Sequence, residues 1–318
     1  MLVRFWGTRG SLPVGTKGGV IRGKIKQALL KANGRRFDDE KAVERFIDEE
    51  LDFPTRSGYG GDSACVEITD GDHRIICDFG TGVRALGNQI MKDSETSGPC
   101  RLFFVMSHLH WDHIMGLPLF TPAHTPGNEI IIHGGHPGME EVFRRQQSAP
   151  CFPVHWDDMA ASITLKRVNA GKTYDINGFQ VTPHLQKHPD GSYGYRFERN
   201  GKTVVYSTDC EHKLESEANI AAAIEFYRDA DLVIFDSMYS LADMISVKED
   251  WGHSSNIIGV DLCRQANVKH YCMFHHEPVY SDQTIYNVLQ ETIRYEELMR
   301  EGQPMKVSTA YDGMEIVV

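Results

Sequence analysis

The chain has 318 residues, 41% hydrophobic and 24% charged, an ordinary make-up for a soluble globular protein with length enough to bury a large core. Its formal net charge of −11 argues against a long polyanionic partner unless positive charge is locally concentrated; a small anionic substrate stays open, because bound metal ions can attract it. Seven cysteines, an odd number without a C-x-x-C pair, argue against a disulfide framework and a structural zinc cluster, and read mostly as buried small apolar residues in a reducing compartment.

The start, "MLVRFWGTRGS", reads as a strand broken at glycine. It carries no basic-then-apolar leader and no small-residue cleavage site, and no apolar run approaches the ~18 residues that span a membrane, so a cytoplasmic location is expected. Residues 17–57 change character, with a basic first half, "RGKIKQALLKANGRR", and an acidic second half. Val43, Phe46, Ile47 and Leu51 fall at helical spacing and Asp38 or Asp39 is placed to cap that helix, which predicts two short helices inserted between strands.

"YGGDSACVEITDGDHRIICDFGTG" then reads as a hairpin turning at "DGD". Strands are predicted at "RLFFVMS", "NEIIIHGG", "SITLKRV", "FQVTPHL", "SYGYRFERNG", "KTVVYSTD", "DLVIFDS" and "KHYCMFH". Helices are predicted at "MEEVFRRQQ", "SEANIAAAIEFYRDA", "SSNIIGVDLCRQANV" and "SDQTIYNVLQETIRYEELMREG", and the chain closes on "MEIVV". Strands dominate the first two-thirds and strand–helix alternation follows, an order that suits an α/β protein of two face-to-face sheets with helices outside. With no repeat and no low-complexity linker, residues 1–318 read as one domain carrying the helical insertion at about 17–57.

Residues 107–116, "SHLHWDHIMG", hold His108, His110, Asp112 and His113 within six positions. Imidazole suits zinc and other first-row metals, and a carboxylate suits a harder or second ion. Alternate residues of an extended segment point the same way, so His108 and His110 can grip one ion together. Asp112 and His113 lie just beyond, where a strand-to-helix turn swings them towards a neighbouring ion. Further ligand types end other predicted strands: Asp78, His188, Asp209, His275 and His276. Lone histidines such as His73 and His133 read as ordinary surface or core residues.

Six stretches in order, "YGGDSACVEI", "CDFGTG", "SHLHWDHIMGLPLF", "HPDGSYGYRFERNGKTVVYSTD", "WGHSS" and "FHHEP", resemble the metallo-β-lactamase fold family, most nearly its ribonuclease Z-like phosphodiesterase branch. The resemblance covers nearly the whole chain. It implies a four-layer αββα sandwich holding two divalent ions, zinc or manganese. By motif, His108, His110 and His188 would hold the first ion, Asp112, His113 and His275 the second, and Asp209 would bridge them. His275 rather than His276 matches the family's position after the strand. "WGHSS" resembles the branch's G-H-S-T motif, which assigns His253 to assisting the leaving group, with Ser255 in place of threonine; Ser255 equally suits a helix cap.

The chemistry implied is attack by a hydroxide bridging the two metals on a phosphodiester, with Asp112 and Asp209 anchoring the ions and His253 serving departure. Asp78 is placed either to orient a ligand or simply to end a strand. Tyr193, Tyr195 and Trp111 offer faces for a base or for packing. No protruding Gly-Pro-rich basic arm is found, so a small phosphodiester, first a 3′,5′-cyclic nucleotide, is preferred over transfer RNA 3′-end processing, and nucleic acid is an unfavoured partner. Lactonase or thioesterase chemistry and a silent metal sensor are the other readings; "GHSS" argues against the former and the full ligand set against the latter. The resemblance implies a homodimer.

Overall fold

The strand pattern begins at once. In β1 (Leu2–Gly7) half-buried and buried side chains alternate, the mark of a strand with one face on the core. The computed structural model describes residues 1–212, 217–246 and 251–318, without the side chains of 96–97 and 244–246. Among these, β2 (Cys65–Asp70) and β3 (His73–Cys77) form the hairpin expected around Gly71, and β4 (Arg101–Met106), β5 (Glu129–Gly134) and β6 (Ser162–Arg167) follow. β7 (Tyr174–Ile176), β8 (Phe179–Gln186), β9 (Ser192–Arg199) and β10 (Lys202–Ser207) begin a second sheet. β11 (Leu232–Asp236), β12 (His270–Phe274) and β13 (Lys306–Thr309) complete it, and β14 (Glu315–Val317) returns to pair with β1.

Among the described residues the two sheets each have seven strands, in the orders β14-β1-β2-β3-β4-β5-β6 and β13-β12-β11-β10-β9-β8-β7. Period-two side-chain alternation sorts the layers. Val204, Tyr206, Leu232, Ile234, Cys272 and Phe274 face Val3, Phe5, Val66, Ile75, Cys77 and Val105 of the other sheet in one fully buried core. Their neighbours Val205, Val233, Phe235, Tyr271 and Met273 face outward onto helices Glu217–Tyr227, Asn256–Gln265 and Asp282–Met299. Ile76, Phe104 and Ile132 likewise face outward onto the helix Val83–Ser97. The architecture is the four-layer αββα sandwich. Of the predicted helix at "SEANIAAAIEFYRDA", Ser216 lies outside the described residues.

The sequence reading differs from the structure in places. The helix Val83–Ser97 was not predicted: its buried apolar side chains Val83, Leu86 and Ile90 make a sparse stripe in a polar run. β7 and β13, three and four residues long, are too short to show a period. Residues 17–57 form four helical segments rather than two: Gly18–Ala32, Glu40–Arg45, a wide turn at Phe46–Glu50, and Phe53–Arg56. Asp39, not Asp38, caps the second, accepting the Ala42 amide at 2.7 Å.

β3 runs parallel to β4, and β10, β11 and β12 run parallel to one another. Their C-terminal ends bring Asp78, the Ser107–His113 segment, Asp209, Asp236 and His275 to one rim of the sandwich. Cross-sheet bonds close that rim: the Tyr193 amide donates to Ser107 O at 2.8 Å and the Tyr195 hydroxyl to Met106 O at 2.7 Å.

Candidate metal centre

β4 ends at Met106, and past a bend at Ser107 the chain turns into the helix Trp111–Ile114, whose preceding residue is His110. The turn separates the motif's ligands into two clusters. His108, His110 and His188 have ring nitrogens within 4.8 Å of one another, as do donor atoms of Asp112, His113, Asp209 and His275. Asp209 lies between the clusters and divides its oxygens. Oδ1 is 3.6 Å from His108 Nε2 and 3.8 Å from His188 Nε2. Oδ2 is 3.1 Å from His113 Nε2 and 3.3 Å from His275 Nε2.

Three of the rim residues pay backbone strain for their direction. Asp78, Asp209 and His275 have φ of 62°, 48° and 62°, the left-handed region that non-glycine residues avoid. Each sits just past a strand end, where the twist turns the side chain along the rim. His275 and His276 therefore part. His275 faces Asp112 Oδ2 at 3.2 Å, while His276 donates Nε2–H to Ala310 O at 2.8 Å, and burial pushes its pKa down to about 3. His276 is a neutral structural residue facing away from the cluster.

Two of the imidazoles, His113 and His188, are held from behind, which fixes the nitrogen each presents. Asp78 is fully buried and accepts from His113 Nδ1 at 2.8 Å, the Ser107 amide and hydroxyl at 2.7 Å, and the Tyr206 hydroxyl at 2.8 Å. It orients His113, and is more than a strand-end turn residue. His188 donates Nδ1–H to Gly252 O at 2.8 Å. A Cβ on Gly252 would lie 2.7 Å from that same nitrogen, which explains the glycine of "WGHSS". Gly10 is needed for the same reason, since a Cβ there would sit 2.5 Å from the His275 ring. The next residue, Ser11, donates its amide to Asp112 Oδ2 at 2.7 Å.

Burial would raise the Asp112 and Asp209 pKa values, but the surrounding imidazoles hold both well below the usual carboxylate range. A metal fits this set. His108 Nε2 is buried without a hydrogen-bond partner, and five imidazoles and two carboxylates converge on one rim.

His253 stands beside the cluster, its ring 5.2 Å from His188 and 5.1 Å from His275. Its Nδ1–H donates to Asp236 Oδ2 at 2.8 Å. Burial would lower its pKa, but Asp236, then Asp209 and Asp112, raise it to about 9. Ser255 caps the helix Asn256–Gln265, accepting the Ile258 amide, so the motif serves the helix as well. The sequence reading missed Asp236, which also accepts the Cys210 and Met238 amides at 3.1 Å. Its only signal is an acid closing the apolar run "LVIFD". Of the three aromatics, Tyr195 is fully buried between the sheets and Tyr193 packs against Gly135 and His136. Trp111 alone is open, at 76% exposure.

A family model described as "Beta-lactamase superfamily domain" matches residues 73–276, which run from the first residue of β3 to His276. The chain belongs to that family. It is a hydrolase of the metallo-β-lactamase fold. Ribonuclease Z of Thermoplasma acidophilum is 23% identical over 279 residues, 70% of this chain and 85% of the relative. Among solved structures, the metallo-β-lactamase fold protein YhfI of Bacillus subtilis superposes with a TM-score of 0.64 at 14% identity, covering 99% of this chain and 98% of the other. A diphosphatase of the PhnP family gives 0.58 at 17% identity, covering 100% and 97%. Among the described residues of this β-lactamase-superfamily chain, no helix is long and apolar enough to cross a membrane.

Proposed function

We propose that the chain is a dinuclear-metal phosphodiesterase acting on a small phosphodiester, with a 3′,5′-cyclic nucleotide as the first candidate. The observation that carries this is the division of the Asp209 oxygens between two ligand clusters, with the His253–Asp236 pair alongside. His108, His110 and His188 would hold one divalent ion, Asp112, His113 and His275 a second, and Asp209 would offer an oxygen to each. Zinc and manganese both suit such a set. Bound there, the ions supply an acidified water and positive charge against a phosphate's oxygens.

The chain's own residues do the rest. Asp236 fixes the His253 ring through Nδ1 and favours its protonated form, leaving Nε2–H for the departing oxygen. That matters most for an alkoxide, such as the sugar oxygen released when a cyclic phosphodiester opens. The substrate's organic part has a place to go. A cavity of about 750 Å³ lies against the loop that carries His110, lined by Leu109, Trp111, Met115, Leu119, Arg145 and Phe152. Its size and apolar walls suit a nucleobase, and the open Trp111 indole offers a stacking face.

Transfer RNA 3′-end processing is the second reading. The ribonuclease Z relative favours it, as does the run of seven basic and no acidic residues over 17–36. A substrate panel tests the choice: cyclic AMP, GMP, CMP and UMP beside a transfer RNA precursor, with manganese- or zinc-loaded protein. Cleavage of a cyclic nucleotide with the precursor intact is expected. Cleavage of the precursor alone would overturn the small-substrate reading.

A further inference from the structure

We propose that the insertion between β1 and β2 is a self-complementary docking surface for a second copy of this chain. Its first helix, Gly18–Ala32, buries none of its residues. It meets the body through polar groups: Lys24 bonds Ser57 O and Asp282, and Gln27 accepts from the Thr55 hydroxyl at 3.1 Å. The apolar side chains are left outside, with Ile25, Leu29 and Leu30 at 55%, 69% and 67% exposure. This reverses the usual arrangement, in which an amphipathic helix turns its apolar stripe inward. Arg22 and Lys26 form an exposed basic row beside Ile25 and Leu29.

The second half mirrors this with opposite charge. Val43 and Ile47, at 36% and 37% exposure, form an apolar row beside the exposed acids Glu40, Glu44 and Asp48. Residues 17–36 hold seven basic and no acidic side chains, whereas 37–52 hold eight acidic and two basic. The Arg35–Glu50 ion pair and the Phe37–Phe46 ring contact, 5.3 Å between centroids, fold the two halves together.

A two-fold interface places one patch against its own copy, so it must be complementary to itself. A surface with a basic-apolar half and an acidic-apolar half meets that requirement when each half of one copy faces the other half of its mate. An RNA or an anionic membrane would be attracted by the first half and repelled by the second.

Sedimentation velocity on the metal-loaded full chain tests this at micromolar concentration. The wild type is expected at twice the chain's 35.9 kDa. Ile25→Glu with Leu29→Glu should leave a monomer that keeps its circular dichroism spectrum and hydrolyses bis(p-nitrophenyl) phosphate. Charge reversal gives a second, folding-independent arm. Arg22→Glu/Lys26→Glu and Glu44→Lys/Asp48→Lys should each associate at least tenfold more weakly than wild type, and mixing the two variants should restore association. A monomeric wild type, a dimer untouched by the Ile25/Leu29 substitutions, or a mixture no tighter than its parts would overturn the proposal. So would a monomer that binds an RNA hairpin or phosphatidylserine vesicles through Ile25 and Leu29.

Discussion

The metal rim and the insertion are opposite solutions to placing polar groups. At the rim, carboxylates and imidazoles are buried or half-buried and several are held by named partners: Asp78 by four bonds, His188 by a carbonyl, His253 by Asp236. In the first helix of the insertion, polar groups anchor and apolar ones face out. Buried polar groups tolerate little loss, because an unpaired partner stays desolvated. Exposed apolar rows tolerate substitution in the isolated chain and matter only when something covers them. Substitutions at the rim should therefore act on metal and turnover, and those in the insertion on association alone.

The largest effect is expected from Asp209→Ala. It removes the carboxylate shared by both clusters, so metal content by mass spectrometry and hydrolysis of bis(p-nitrophenyl) phosphate should fall together. The loss should exceed the ~10–100-fold typical of removing an outer hydrogen-bond partner of a metal ligand. Retention of both metals would refute the bridging role. Asp78→Asn supplies that outer-partner case: it keeps shape but weakens the hold on His113, and chelator competition should show metal affinity down roughly 10–100-fold.

His253→Ala and Asp236→Asn separate chemistry from metal binding. Both should keep both metals and lower cyclic-nucleotide turnover by roughly 10²–10⁴-fold, the range for a lost general acid. Bis(p-nitrophenyl) phosphate, whose leaving group needs no proton, should be affected far less. Equal losses on both substrates would argue against proton donation. Trp111→Ala should be milder, raising KM for a cyclic nucleotide about tenfold, within the ~1–3 kcal/mol of base–aromatic stacking, while leaving bis(p-nitrophenyl) phosphate nearly unchanged. An unchanged KM would remove the base from the cavity.

What could be read from sequence follows the same division. His108, His110, Asp112 and His113 are neighbours in the chain, so their pattern is visible without a fold. The four layers were legible because strands such as "KTVVYSTD" and "DLVIFDS" show their length and apolar content. Asp236 was not, because its role comes from a residue 17 positions on that the fold brings to 2.8 Å. The parting of His275 from His276 depends on a φ of 62° that no side-chain pattern announces. In the insertion the helices were partly legible, since Val43, Phe46, Ile47 and Leu51 have the right spacing, but spacing does not tell which face turns inward. Phe46 and Leu51 are buried, whereas Val43 and Ile47 are not.

The smallest expected effect lies at the seam of the two regions. Asp312 accepts the Gly61 and Asp62 amides at 2.8 and 3.0 Å and the Thr8 hydroxyl at 3.0 Å, and so ties together the chain before and after the insertion. Burial raises its pKa from 3.8 to about 6, against the pull of those bonds, and Asp62 adds like charge. A carboxyl whose folded pKa is raised contributes stability that is full below its unfolded pKa and is lost as pH rises through the folded one. The window therefore runs from about pH 4 to about pH 6. Asparagine can serve the same partners: its oxygen accepts the two amides, its NH₂ donates to the Thr8 oxygen, and the single Thr8 hydroxyl proton then goes to Tyr59 O at 3.0 Å. Asp312→Asn cannot ionise, so its melting temperature relative to wild type should climb by a few degrees between pH 4 and pH 7. A difference that stays flat across that range would mean that the carboxylate is solvated at the seam. The insertion would then be held more loosely to the sandwich than the buried rim beside it.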